Sequence, residues 1–201
     1  MDLTVVERLI CPNDHEPTPL VVRADATAHG ALTRGVLGCP KCESEWKVDG
    51  GVARFGPRAE LPHASADPAV LAALLDLTEP GRLIIVDGVS AETCAALARD
   101  YGAMIVALDP PESGSYAAVI EGATHAPVSA GVARGAVLMR AVRDAAFNES
   151  IVRAVGPRGR IVGAPDVRIP RDVTEMARDD RLWVGARDDV SAPVSLRRGG
   201  P

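Results

Sequence analysis

From Pro68 onward the chain alternates two kinds of apolar segment. GRLIIVDG and AMIVALDP are short and apolar almost without a break. PAVLAALLDL and SAETCAALARDYG are longer, with apolar positions at helical spacing. In the second of these, Ser90 is placed to cap the helix start and Gly102 to stop it. Strands apolar on both sides, separated by helices, predict a parallel sheet covered on both faces. The pattern continues with SYAAVIEG as a short strand or helix, and GVARGAVLMRA as a strand. DAAFNESIVRAVG is predicted as a helix ending at Gly156, GRIVGAP as a strand, VTEMARDD as a helix, and LWVGARDD as a closing strand. The tail Val194–Pro201 reads as a frayed end, or a strand within VGARDDVSAPVSLRR pairs with an edge.

The first 56 residues have a different texture. PLVVRAD and ALTRGVLGCP have period-two segments around a polar turn, a hairpin signature. EWKVDGGVARF repeats it, with Asp49-Gly50-Gly51 at the turn. VVERLICP is a short helix or strand running into a Cys-Pro knuckle. Between the two textures GPRAELPHASADP has no period and reads as a linker. The expected organisation is therefore a small β-rich domain over 1–56, a linker over 57–67 and an α/β domain over 68–201.

Composition narrows the function classes. Aromatics make up 3% of 201 residues, with two each of Trp, Tyr and Phe, too few for the stacking platforms that hold single-stranded nucleic acid. Net charge is −5, which gives no global attraction to a polyanion. No apolar run reaches the ~18–20 residues that span a bilayer, and the N-terminus lacks the pattern of a secretory signal. A cytoplasmic protein without membrane contact is expected, and its four cysteines then point to a metal or plain thiols.

CPKC, Cys39 to Cys42, places two thiols on one tight turn. CPNDH, Cys11 to His15, supplies a third thiol and an imidazole with three residues between them. Together they make a Cys3His set for a structural zinc ion, with Asp14 as an alternative oxygen ligand; structural sites favour nitrogen and sulfur, hence His15. A redox dithiol and an empty site are the competing readings. A metal suits this region, because some 55 residues of short strands bury little apolar surface. Cys94 lies on the apolar side of its helix with Leu97 and reads as an inert buried thiol. His29, His63 and His125 fall in predicted loops with no visible partner.

Two resemblances follow. LICP, CPKC, Trp46 and Asp49-Gly50-Gly51-Val52 together resemble the small zinc-binding proteins that act as activator subunits of tRNA, rRNA and protein methyltransferases; His15 stands where that family has a cysteine. From Pro68 to about Asp189 the chain is similar to class I S-adenosylmethionine-dependent methyltransferases. GRLIIVDG corresponds to the first strand and cofactor turn, Asp109 to the acid that ends the second strand, and AVGPRGRIV to the turn into the fifth. The resemblance implies an α/β fold: a small β-rich zinc ribbon, then a Rossmann-like, mostly parallel sheet with helices on both faces. If the cofactor site is retained, it implies Asp87, Gly88 and Asp109 as contacts to S-adenosylmethionine.

The cofactor turn departs from that family. After Asp87 come Gly88, Val89, Ser90, Ala91, Glu92 and Thr93, where the family turn carries three glycines. LDPP, Leu108 to Pro111, resembles an amino-group methyltransferase motif but follows the wrong strand, with Glu112 in place of its aromatic. An NAD-type fold also suits the Asp87–Asp109 spacing and suffers equally from the missing glycines. The expectation is a degenerate methyltransferase-like protein: a zinc-binding, non-catalytic adaptor or regulatory subunit whose partner is another protein. The alternative is an active methyltransferase on RNA or protein, its ribbon recognising substrate. Nucleic-acid binding through Lys41, Lys47, Arg54 and Arg58 is a third reading, weakened by the interleaved acids Glu43, Glu45 and Asp49.

Overall fold

The computed structural model describes residues 1–111, 114 and 116–188. Glu112 and the expectations for the tail beyond 188 lie outside them. The strands are β1 (Val21–Ala28), β2 (Ala31–Gly38), β3 (Glu45–Asp49), β4 (Val52–Arg54), β5 (Leu83–Asp87), β6 (Met104–Leu108), β7 (Ala118–Glu121), β8 (Ala133–Leu138), β9 (Val155–Gly163), β10 (Val173–Arg178) and β11 (Trp183–Arg187). The helices are α1 (Leu3–Val6), α2 (Pro68–Leu74), α3 (Ala91–Tyr101) and α4 (Ala145–Ala154).

All eleven strands join one mixed sheet in the order β1-β2-β3-β4-β7-β6-β5-β8-β9-β11-β10. The strands β7-β6-β5-β8-β9 run parallel, and β11 and β10 close that end as an antiparallel hairpin. Chain order reverses at β5: β6 and β7 lie on one side and β8 and β9 on the other. In open α/β sheets such a reversal is where a crevice opens at the carboxyl ends of the strands.

Both N-terminal hairpins form as the alternation predicts. They do not stand apart, because β4 pairs in parallel with β7, Val52 to Val119 and Arg54 to Glu121. The N-terminal segment is tied in as well: Asp2 N–H donates to Ala117 O at 2.6 Å and Ile10 N–H to Pro127 O at 3.0 Å. One apolar cluster accordingly contains Val5, Val6, Leu9, Leu37 and Val48 together with Ile85, Val106, Ala136, Phe147 and Ile151. The second contains Leu71 and Leu75 from α2 and its end, Cys94 and Leu97 from α3, and the alternate strand positions Ile84, Val86, Ile105 and Val137.

Residues 57–67 form no helix or strand, but they are held. A bridge pairs Ala64 with Val89, and Thr93 Oγ1 donates to Ala66 O at 3.0 Å. Ser90 caps α3, accepting from Thr93 N–H at 3.3 Å, and Gly102 ends it at φ +63°, a conformation costly for other residues.

VTEMARDD, expected as a helix, is strand β10 followed by a turn. Glu175 to Arg178 are good helix formers, but Asp179 Oδ1 accepts from the N–H groups of Arg181 and Leu182, both at 2.8 Å. That side-chain turn folds the segment back onto β11. A second difference lies after α4: β9 begins at Val155 with no loop, and residues 156–159 bulge out between its paired positions. Both edge strands carry an irregularity, around Asp25 in β1 and Met176 in β10.

Candidate functional site

The two cysteine knuckles meet beside β2. Cys11, His15, Cys39 and Cys42 bring their ligand atoms within 4.8 Å of one another. Cys11 Sγ lies 3.7 Å from Cys42 Sγ. His15 Nε2 lies 3.1 Å from Cys11 Sγ and 3.5 Å from Cys39 Sγ. A tetrahedral zinc with Zn–S of about 2.3 Å sets sulfurs about 3.8 Å apart, so the spacing suits that ion. His15 Nδ1 is 2.7 Å from Glu16 O. Donation there leaves the Nε2 lone pair facing the thiols, as a metal-ligating imidazole requires. Asp14 is exposed and is not among the gathered ligand atoms.

Asn13 braces the group. Its N–H points to Cys11 Sγ at 3.4 Å, and its Nδ2 donates to Cys42 Sγ at 3.3 Å and to Ser44 Oγ at 3.0 Å. Burial pushes the Cys11 thiol up to about 12. Ser44 beside exposed Cys42 pulls that thiol down to about 5. The donors fit a zinc ion, which when bound would cross-link the two knuckles and lend folding free energy.

The acids expected at a cofactor turn sit together at the strand ends. Asp87 ends β5 and is 1% exposed; Asp109 follows β6 and is 2% exposed. Gly88 adopts φ +81°, and a Cβ there would come within 2.5 Å of Arg140 Cγ. The loop after β8 carries two arginines that the sequence reading did not single out. Arg140, with none of its side chain exposed, donates to Asp87 Oδ1 at 2.7 Å, Asp109 O at 2.7 Å, Pro62 O at 3.1 Å and Leu108 O at 3.3 Å. Arg143 reaches both acids, Asp87 Oδ1 at 3.2 Å and Asp109 Oδ2 at 2.6 Å, and its guanidinium lies 4.1 Å from the Phe147 ring centre. Asp109 Oδ1 also accepts Gly122 N–H at 2.8 Å.

His63 joins this group, contrary to its reading as a surface histidine without a partner. Its Nε2 lies against Arg140 Nη2 and 3.1 Å from Asp109 O, and only the unprotonated nitrogen can accept from the guanidinium. Burial pushes the imidazole below its usual range, with Arg140 and Arg58 adding to the effect and the Asp109 carbonyl and Asp87 opposing it. Burial also pushes the Asp87 carboxyl up, while Arg140 and Arg143 pull it back. The connection lies across the same turn: Ala64 N–H donates to Gly88 O at 2.8 Å and Ser90 N–H to Ala64 O at 3.0 Å.

The turn and its two acids are engaged within the chain itself. Both carboxylates already hold guanidinium groups, Val89 is buried, and the backbone of the turn is bonded to residue 64. A cavity of about 220 Å³ beside the cluster is lined by Arg143 together with Asn148, Glu149 and Arg168, and one of about 210 Å³ by Arg58 and Pro110.

The remaining candidates are dispersed. Cys94 is fully buried in the second cluster, its thiol pushed up to about 12 by burial. His29 sits in the β1–β2 turn at φ +50°. Of the basic residues near the knuckles, Lys41 pairs with Glu16 at 3.3 Å and Arg54 with Glu121 at 3.3 Å, while Arg58 donates to Pro111 O at 2.6 Å. No helix among the described residues is long and apolar enough to cross a membrane.

No protein-family model matches the chain, and no curated protein sequence matches it. The solved structures it resembles include several methyltransferases and the [4+2]-cyclase SpnF. N-methyltransferase NodS from Bradyrhizobium japonicum WM9 overlaps 61% of this chain and 94% of its own, at 10% identity and a TM-score of 0.42. The 1,6-didemethyltoxoflavin-N1-methyltransferase of Burkholderia thailandensis, with bound 1,6-didemethyltoxoflavin and S-adenosylhomocysteine, overlaps 61% of this chain and 76% of its own at 13% identity, with a TM-score of 0.41. A SAM-dependent methyltransferase from Geobacter sulfurreducens in complex with S-adenosyl-L-homocysteine overlaps 53% and 50%, at 20% identity and a TM-score of 0.37. The matched region spans only 44% of a putative sarcosine dimethylglycine methyltransferase from Galdieria sulphuraria. The chain itself has an α/β fold with a large mixed sheet, and a Cys/His group whose ligand atoms are gathered closely enough that they could hold a metal.

Proposed function

We propose that this protein is a methyltransferase-like zinc protein that transfers no methyl group and works through protein contacts, as an adaptor or regulatory subunit. The observation that carries this reading is the Arg140–Asp87–Arg143–Asp109 cluster. The carboxylates a cofactor would engage are the counter-ions of two arginines of the same chain. Releasing them would leave buried charges unpaired, which costs several kcal/mol per ion. The non-glycine turn agrees, since Val89 and the backbone of residue 64 occupy its approach. Zinc at Cys11, His15, Cys39 and Cys42 then has a structural role, with all four positions taken by protein.

The test is isothermal titration of S-adenosylmethionine and S-adenosylhomocysteine into zinc-loaded protein. No saturable heat is expected up to millimolar ligand. Saturable micromolar binding would sink the reading and favour the second one, an active methyltransferase on RNA or protein with the zinc ribbon recognising substrate. That alternative is supported by both acids still standing at the ends of β5 and β6, where the strand order reverses.

A further inference from the structure

The opposite end of the parallel strands holds a cavity of about 330 Å³. It lies where β5, β6 and β8 begin, remote from the Asp87 cluster at their carboxyl ends. Three arginines from three separate segments line it: Arg8 just past α1, Arg82 just before β5 and Arg134 in β8. Gly81, Gly131 and Gly156 form other parts of its wall, so no side chain at those positions narrows it. Arg134 is paired with Asp76 at 2.5 Å, and Arg82 with Glu79. Both partners are surface carboxylates, 40% and 63% exposed at the side chain, so these pairs hold the guanidinium groups in place at little energetic value. Arg8 has no side-chain hydrogen bond or ion pair with another described residue, although the protein as a whole is acidic.

We propose that this cavity binds the phosphate group of a small phosphorylated molecule. A carboxylate offers two oxygens in one plane, which a single guanidinium fork satisfies. Guanidinium groups arriving from three segments suit a tetrahedral anion, whose oxygens accept from several directions. The volume falls within the range of small-molecule pockets, at the low end of about 300–1,000 Å³.

The test titrates inorganic pyrophosphate into the full-length, zinc-loaded protein at constant ionic strength, set with chloride. Wild type is compared with Arg8→Ala, Arg134→Gln and a control, Arg168→Ala, an exposed arginine outside this cavity. Arg8→Ala removes a side chain without a partner among the described residues, so its thermal melt should match wild type. Expected are saturable 1:1 binding, a loss of about tenfold or more in each cavity variant, the scale of one charge-assisted hydrogen bond, and no change in the control. Absence of saturable binding, or equal affinity in wild type and Arg8→Ala, overturns the proposal. So does tighter binding of a roughly ten-nucleotide single-stranded RNA that pyrophosphate fails to displace, since that would mark a nucleic-acid surface. Because the cavity and the Asp87 cluster occupy opposite strand ends, the result does not depend on whether S-adenosylmethionine binds.

Discussion

An arginine with no exposed side chain must find acceptors within the protein for its N–H groups. Arg140 finds them in the Asp87 carboxylate, three backbone carbonyls and the His63 ring. Truncation to alanine would leave Asp87 buried with only Arg143 to offset it. Arg140→Ala is therefore expected to destabilise the fold by about 3–5 kcal/mol in urea denaturation. Arg99→Ala, which breaks an exposed pair with Asp100, should leave the midpoint unchanged. His63 adds a pH dependence. Its folded pKa is lowered, so the native state takes up its proton at lower pH than the unfolded chain does. The stabilisation is complete above the unfolded value, about 6.5, and is lost as pH falls from there through the lowered folded value. His63→Gln should flatten that part of the stability–pH curve, and an unchanged slope would assign it to another group. Asp87 and Asp109 were legible as strand-end acids. Arg140 and Arg143 were not, because two arginines after an apolar run look like an ordinary solvated loop until β8 is known to lie next to β5.

At the scale of single elements, legibility followed local chemistry. The α3 boundaries were readable because Ser90 and Gly102 set them through their own hydrogen bonding and backbone freedom. Ser90→Ala should cost about 1 kcal/mol, measurable by thermal or urea unfolding. The hairpins were readable from alternation and the Asp-Gly-Gly turn. β10 was not, since Glu175, Met176, Ala177 and Arg178 favour helix and only the Asp179 turn with pairing to β11 overrides them. That Cys11, His15, Cys39 and Cys42 come together was legible by spacing. The choice of His15 over Asp14 as the gathered residue rests on how the 11–15 turn closes against β2, which spacing alone does not determine.

For the whole molecule, the pairing of β4 with β7 changes what the knuckles do. The sequence suggested a small domain on a linker, yet the N-terminal strands extend the central sheet and share one of its clusters. A metal lost from Cys11, His15, Cys39 and Cys42 would therefore be felt beyond the first 56 residues. Chelation should lower the melting temperature of the entire protein in one transition, followed by tryptophan fluorescence from both Trp46 and Trp183. Two separated transitions would show that the halves unfold independently. Cys39→Ser should reproduce the metal-free behaviour.

An open sheet of eleven strands ends in two rows of backbone groups that can recruit further strands. Here the pairing slips at each margin: Met176 is an extra residue in β10, while at the other edge Asp25 of β1 is skipped and Thr33 of β2 is skipped just after it. The kinks interrupt the straight template that an incoming strand would need. The margins of this wide open sheet are thus broken near Asp25 and Met176, where a strand arriving from another molecule would lose its register.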